Sequence, residues 1–160
     1  MDNLAGTKSL LQSMIRWTDE YFMREALKEA DKAYAAKEVP IGAVVVSSNR
    51  IIARAHNQVE RLQDATAHAE ILALTAAFSH VGGKYLPACT LYVTLEPCCM
   101  CGGATYWAQL GRLVFGAHDP RRGYGTVGRQ LLHPRTEVAT AVLSEEASQR
   151  LTLFFKHLRS

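Results

Sequence analysis

Two short stretches hold the residue types that do chemistry in this chain, His68-Ala69-Glu70 and Pro97-Cys98-Cys99-Met100-Cys101. An imidazole and thiolates form a soft donor set suited to tetrahedral zinc. Residues three apart share a helix face and residues two apart do not, so Cys98 and Cys101 can act together whereas Cys99 and Cys101 cannot. With His68 they supply one nitrogen and two sulfurs, which leaves a coordination position open. Structural zinc sites are usually closed by four protein ligands, whereas a catalytic zinc keeps an open position. Glu70 follows His68 by two residues and cannot share its helix face, so the two cooperate only if the metal lies off the helix end. A carboxylate placed there can take a proton from water and return it to a leaving group.

The elements that must position these residues follow from the surrounding pattern. Both stretches are expected at helix starts, where free N–H groups and a partial positive charge favour thiolate over thiol. Thr18 is a good N-cap, and Phe22, Met23, Ala26, Leu27, Ala30, Ala33 and Tyr34 recur at helical spacing until Pro40. A Val-rich run over 42–47, the polar turn Ser48-Asn49-Arg50 and a second run over 51–56 read as a hairpin. Residues 68–78 are apolar almost all round, which predicts a helix buried on both faces and closed by Gly82-Gly83. A strand over 90–95, a helix over 98–110 and a strand over 112–117 come next. An irregular stretch over 120–134 leads to a last strand over 137–143 and a helix capped by Ser144. This order predicts an α/β chain, a three-layer α/β/α domain with a mixed five-stranded sheet.

At 160 residues and 48% hydrophobic content, one domain over 18–160 is expected, preceded by an N-terminal arm over 1–17 that is either poorly ordered or a weak extra helix. The net charge of +3 would suit an anionic partner without identifying one. No leader pattern and no apolar run long enough to span a bilayer is present, so the expectation is a soluble cytoplasmic protein without a membrane partner. Three of the four cysteines lie too close together for a disulfide framework and point to a metal or a reactive thiol instead; Cys89 stands apart.

The His-x-Glu and Pro-Cys-x-x-Cys pattern is the known signature of zinc-dependent nucleobase deaminases. The chain resembles the cytidine deaminase superfamily, and within it most closely the bacterial tRNA-specific adenosine deaminases. The resemblance extends over roughly residues 18–158. It also rests on Val39-Pro40-Ile41-Gly42-Ala43-Val44, Asp64-Ala65-Thr66-Ala67-His68-Ala69-Glu70, Thr94-Leu95-Glu96-Pro97-Cys98 and Val114-Phe115-Gly116-Ala117. It implies a cytidine deaminase-like α/β/α fold, a homodimer, and one Zn2+ per subunit on His68, Cys98 and Cys101. It also implies Glu70 as the proton shuttle and Asn57, Ala69 and Pro97 as contacts to the base. The implied reaction is hydrolytic loss of ammonia from C6 of a flipped-out adenosine, giving inosine at the wobble position of a tRNA anticodon stem-loop.

Other readings of the same residues stay open at this level. Tyr106-Trp107-Ala108 is similar to the free-base guanine deaminases of the superfamily, which makes a free base or nucleoside the alternative substrate. A closed zinc site with Cys89 or Cys99 as fourth ligand would make the chain a catalytically silent RNA-binding module. Asn57 follows a strand, where Asn commonly serves a turn. Arg121, Arg122 and Tyr124, with Arg129 and Arg135 nearby, are candidate RNA contacts able to track phosphates and stack on a base, or simply the polar residues of a solvated loop. His118 and His133 read as structural or surface residues, and Trp107 as a core or dimer contact.

Overall fold

Residues 17–160 are described by the structure, a computed structural model; save for Trp17, the arm expected over 1–17 lies outside them. The Thr18 hydroxyl accepts the Tyr21 N–H at 3.1 Å and caps helix α1 (Asp19–Ala35). The helix stops short of Pro40 because Lys37 turns into the left-handed region at φ +60°. Strands β1 (Gly42–Ser47) and β2 (Arg50–His56) then pair antiparallel. Ser48 and Asn49 between them both have positive φ, 49° and 60°, the conformation of a two-residue hairpin turn. Gly42 is required by close approach, since a Cβ there would lie 2.0 Å from the Ala26 carbonyl oxygen on α1.

A short helix α2 (Val59–Leu62), with no sequence period to announce it, precedes α3 (Ala69–Val81). Strand β3 (Cys89–Leu95), helix α4 (Cys99–Trp107) and strand β4 (Arg112–Ala117) follow. Beyond β4, residues 118–136 hold two single 3-10 turns, then β5 (Glu137–Ala139) and α5 (Ser144–Leu158). The five strands lie in the order β2-β1-β3-β4-β5, with β1 antiparallel to β2 and β3, and β3, β4 and β5 mutually parallel. The expected mixed five-stranded sheet is therefore present.

Successive strand residues serve opposite layers. Ala43, Val45, Leu91, Val93, Leu113 and Phe115 join the core with α3 residues Ala73, Leu74 and Ala77. Val44, Val46, Tyr92 and Val114 pack with Phe22, Met23 and Ala26 of α1. This double-sided burial explains why the strands read as unbroken apolar runs instead of alternating.

Three expectations need correction. The last strand covers only Glu137–Ala139, because Ala141 (φ 61°) and Leu143 (φ 52°) take left-handed conformations that end the pairing. Ser144 is the first residue of α5 and not its cap; Leu143 holds the cap position without a side-chain hydrogen bond. Helix α3 is buried on one face only, through Ala69, Glu70, Ala73, Leu74 and Ala77, while Thr75 and Ala76 are exposed and Ile71, Leu72 and Phe78 half-buried. Cys89 opens β3 as a buried core thiol whose pKa burial pushes up. No helix among the described residues is long and apolar enough to cross a membrane.

Candidate metal centre and active site

The parallel strands β3 and β4 end side by side, and the segments leaving their carboxyl ends meet the starts of α3 and α4. Crevices at that edge of a parallel sheet are where α/β folds place ligands. A cavity of about 860 Å³ opens there, lined among others by Asn57, His68, Glu70, Glu96, Cys98 and Arg121.

His68 is the N-cap residue of α3, with an extended backbone (φ −72°, ψ 151°) and no side-chain bond to its own helix. Its ring is left free to face α4, where Cys98 holds the equivalent cap position (φ −67°, ψ 174°). The His68 Nδ1 lies 3.6 Å from Cys98 Sγ and 3.5 Å from Cys101 Sγ. The donor atoms of the three residues all lie within 4.8 Å of one another, and theirs is the one such His/Cys/Asp/Glu group among the described residues. Cys99 and Cys89 are not in it. The three-residue spacing therefore brings together the cysteines it selects, and two helix starts supply the geometry off the helix end that Glu70 requires.

Protonation in this group is coupled. Hydrogen bonding with Cys101, and then with His68, brings the Cys98 thiol down to about 4 against the opposing effect of burial. The Cys101 thiol, bonded to Cys98 and buried, is pushed far up, and the bond to Cys98 raises His68. A proton shared between two thiols beside an imidazole is what a soft cation displaces on binding, since thiolate and neutral imidazole are the ligand forms.

Glu70 is 4% exposed, and burial raises its carboxyl above the ordinary range. Its Oε1 is the one buried side-chain oxygen or nitrogen among the described residues with no hydrogen-bond partner. Buried polar atoms are nearly always paired, so an orphaned oxygen beside a three-donor cluster marks a place for something the protein alone does not supply. Donor set, mutual distances and orphaned carboxylate fit a zinc ion with an open position.

Asn57 is buried at the cavity wall; its backbone N–H donates to the Ile41 carbonyl at 3.0 Å, so its place is fixed by the main chain while its amide faces the space. Ala69 and Pro97 are buried as the first residue of α3 and the residue before Cys98. Arg121 and Arg122 are exposed at the cavity mouth, and neither guanidinium makes a hydrogen bond or ion pair among the described residues. Tyr124 differs from expectation. It is 7% exposed with its ring edge-on to Phe115, so little face remains for a base to stack on. Arg129 turns inward to the carbonyl oxygens of His133 and Thr136, which makes it a brace of the irregular segment. Sequence reasoning missed Glu38 and Glu96, two buried carboxylates at the cavity; a charged residue inside an otherwise apolar strand end was the available signal for Glu96.

The model of the cytidine and deoxycytidylate deaminase zinc-binding region matches residues 16–117. A tRNA-specific adenosine deaminase of Bacillus subtilis is 48% identical over 146 residues, covering 88% of this chain and 91% of that protein. The tRNA-specific adenosine deaminase of Aquifex aeolicus is 43% identical, covering 88% and 96%. A solved structure from work on A-to-I editing by tRNA deaminases at the wobble position of transfer RNA superimposes with a TM-score of 0.76 at 40% identity, covering 82% of this chain and 99% of that one. A guanine deaminase of Nitrosomonas europaea gives 0.73 at 28% identity, covering 84% and 83%. The chain belongs to the zinc-binding cytidine and deoxycytidylate deaminase family, and within it to the group of the tRNA-specific adenosine deaminases.

Proposed function

We propose that this protein is a cytoplasmic, homodimeric, zinc-dependent deaminase that converts adenosine to inosine at the wobble position of a tRNA anticodon stem-loop. The observation that carries the reading is the orphaned, buried Oε1 of Glu70 beside the cluster of His68, Cys98 and Cys101. Those three residues would hold one zinc ion per chain. Bound there, zinc supplies Lewis acidity that makes water a nucleophile at neutral pH.

The protein's own groups do the rest. Glu70 takes one proton from the attacking water and passes it to the purine ring, then takes the second from the hydroxyl newly formed on C6 and gives it to the leaving amine, so that water is consumed and ammonia released. A carboxyl whose pKa is raised by burial suits a group that must hold a proton between two transfers. Asn57 offers a donor and an acceptor to the purine edge from a fixed backbone position, and Ala69 and Pro97 wall the base in. A base in a single-stranded loop swings out without melting a duplex. Arg121 and Arg122, whose guanidinium groups have no partner among the described residues, take the flanking phosphates. The outer face of α3, exposed at Thr75 and Ala76, with Met100 and the 78% exposed Trp107 of the neighbouring α4, is where a second copy would pack.

Similarity to the Nitrosomonas europaea guanine deaminase keeps a free purine as the second reading. Salt dependence separates the two, because a free base carries no phosphates. Stem-loop binding should weaken with salt, and replacing Arg121 and Arg122 by Ala should flatten the log-log slope by about 0.7 to 0.9 per lost phosphate contact. Binding that ignores both salt and the arginines would remove RNA from the account.

A further inference from the structure

Glu96 joins the end of β3 to Pro97 and Cys98, yet neither the metal cluster nor the proton transfers use it. Its side chain is 7% exposed, and no Lys or Arg among the described residues pairs with it. Burying a carboxylate without a permanent cation is costly unless its oxygens are well satisfied. Here one segment satisfies both. Oε1 accepts the Asp119 N–H at 3.2 Å and lies 3.2 Å from His118 Nδ1, and Oε2 accepts the Gly125 N–H at 3.0 Å.

The loop 119–125 is wrapped around this one side chain. A Cβ at Gly123 would fall 2.0 Å from Glu96 Oε2, so glycine is what lets the backbone close on the carboxylate. The same loop is tied to the metal-binding turn by the Tyr124 N–H donating to the Pro97 carbonyl at 2.8 Å and by a bridge between Cys98 and Gly123. Arg121 and Arg122 ride on it, their backbone N–H groups donating to Asp119 Oδ1 at 3.1 and 3.0 Å while neither guanidinium has a hydrogen-bond or ion-pair partner among the described residues. The two arginines thus hang from a loop whose longest-range anchor is Glu96, two residues before Cys98.

We propose that Glu96 is a positioning residue that holds Arg121 and Arg122 at a fixed offset from the metal-binding turn. Phosphates gripped by the arginines and the base seated against Glu70 are thereby kept in register. The inference rests on the RNA reading given above for its consequence, and on hydrogen bonds alone for its mechanism. Loss of the anchor frees the loop and leaves the metal donors in place.

The test uses the zinc-loaded full chain with Glu96→Gln, which keeps the side-chain shape but turns an NH2 group toward an N–H donor. Gly123→Ala is the second variant, since it pushes the loop off an intact carboxylate. The substrate-free readout is trypsin cleavage after Arg121 and Arg122, expected to rise on the order of tenfold in both variants, the effect of losing one well-made hydrogen bond in a local opening equilibrium. Zinc content and melting temperature should stay near wild type. The second readout is a double-mutant cycle on stem-loop affinity: Glu96→Gln weakens binding about tenfold in the wild-type background and has little further effect when Arg121 and Arg122 are already Ala. Unchanged cleavage in both variants, or additive effects in the cycle, overturns the proposal. Loss of zinc from both variants does so too, by making Glu96 a support of the metal site. Failure of the wild type to bind any stem-loop would sink the RNA reading instead, and the cleavage assay would still decide whether Glu96 anchors the loop.

Discussion

Replacing Glu70 by Gln separates the chemistry of the site from its construction. The two side chains have nearly the same volume, so no cavity forms and the start of α3 keeps its packing. The zinc donors proposed here are His68, Cys98 and Cys101, so zinc should stay at one ion per chain. Gln has no proton to exchange, and general acid–base catalysis by a placed side chain contributes about 10² to 10⁴ in rate, or roughly 3 to 5.5 kcal/mol of barrier. Because one carboxyl serves both transfers, the fall in kcat should reach the upper end of that range. Stability should move the other way or not at all. Burial disfavours ionised Glu70 and leaves its Oε1 unpaired, whereas a neutral amide costs less to bury. A gain of up to about 1 kcal/mol would raise the melting temperature by roughly 2 to 4 °C in a domain of this size. The assay is single-turnover ammonia release at saturating substrate, with zinc by elemental analysis and a thermal melt on the same sample. Activity within tenfold of wild type at full zinc would refute the proton-shuttle role. Loss of zinc would show that Glu70 belongs to the metal-binding set.

Two further outcomes follow from the packing and the ion pairs. Cys101→Ala should abolish stoichiometric zinc while Cys99→Ala keeps it, because only the former lies in the donor cluster; elemental analysis of both variants distinguishes this from a site that recruits Cys99. Asp19 grips Arg112 through 2.6 and 2.8 Å contacts and accepts the Tyr92 hydroxyl at 2.7 Å, and the bond to Arg112 above all holds its carboxyl below the usual aspartate range. Since the folded-state value is lowered, the stabilisation is complete above the unfolded value and is lost as pH falls through the folded one. Asp19→Asn should therefore cost about 1 kcal/mol at neutral pH and progressively less as the pH falls through the lowered folded-state value, measured by denaturant melts; a pH-independent loss would contradict it.

The parts of this molecule that were legible in its sequence are those where local pattern and tertiary demand agree. Thr18 caps α1, the Val-rich runs make the central strands, and a three-residue interval picks Cys98 and Cys101 out of three neighbouring cysteines. What stayed hidden depends on contacts distant in sequence or on backbone conformations that residue type does not announce. Ala141 and Leu143 are poor candidates for the left-handed region, so a strand appeared to run through them when β5 in fact stops at Ala139. Helix α3 reads as apolar all round, yet only one face meets the sheet, and the other carries the exposed Thr75 and Ala76. Tyr124 sits among Gly and Arg residues, which made it look like a surface aromatic, yet Phe115 from β4 buries it. Glu96 could be seen as a charge near the cysteines, but its partners lie up to 29 residues away and only the fold brings them round it.

Deamination of adenosine in a tRNA loop is the activity assigned to this site. Ammonia release by the zinc-loaded protein tests it most directly, offering an adenosine-bearing anticodon stem-loop in parallel with free guanine, adenine and cytosine. The stem-loop should turn over, with inosine at the wobble position, and the free bases should not. Turnover of a free base with no reaction on the stem-loop would contradict it and assign the same zinc site to nucleobase deamination.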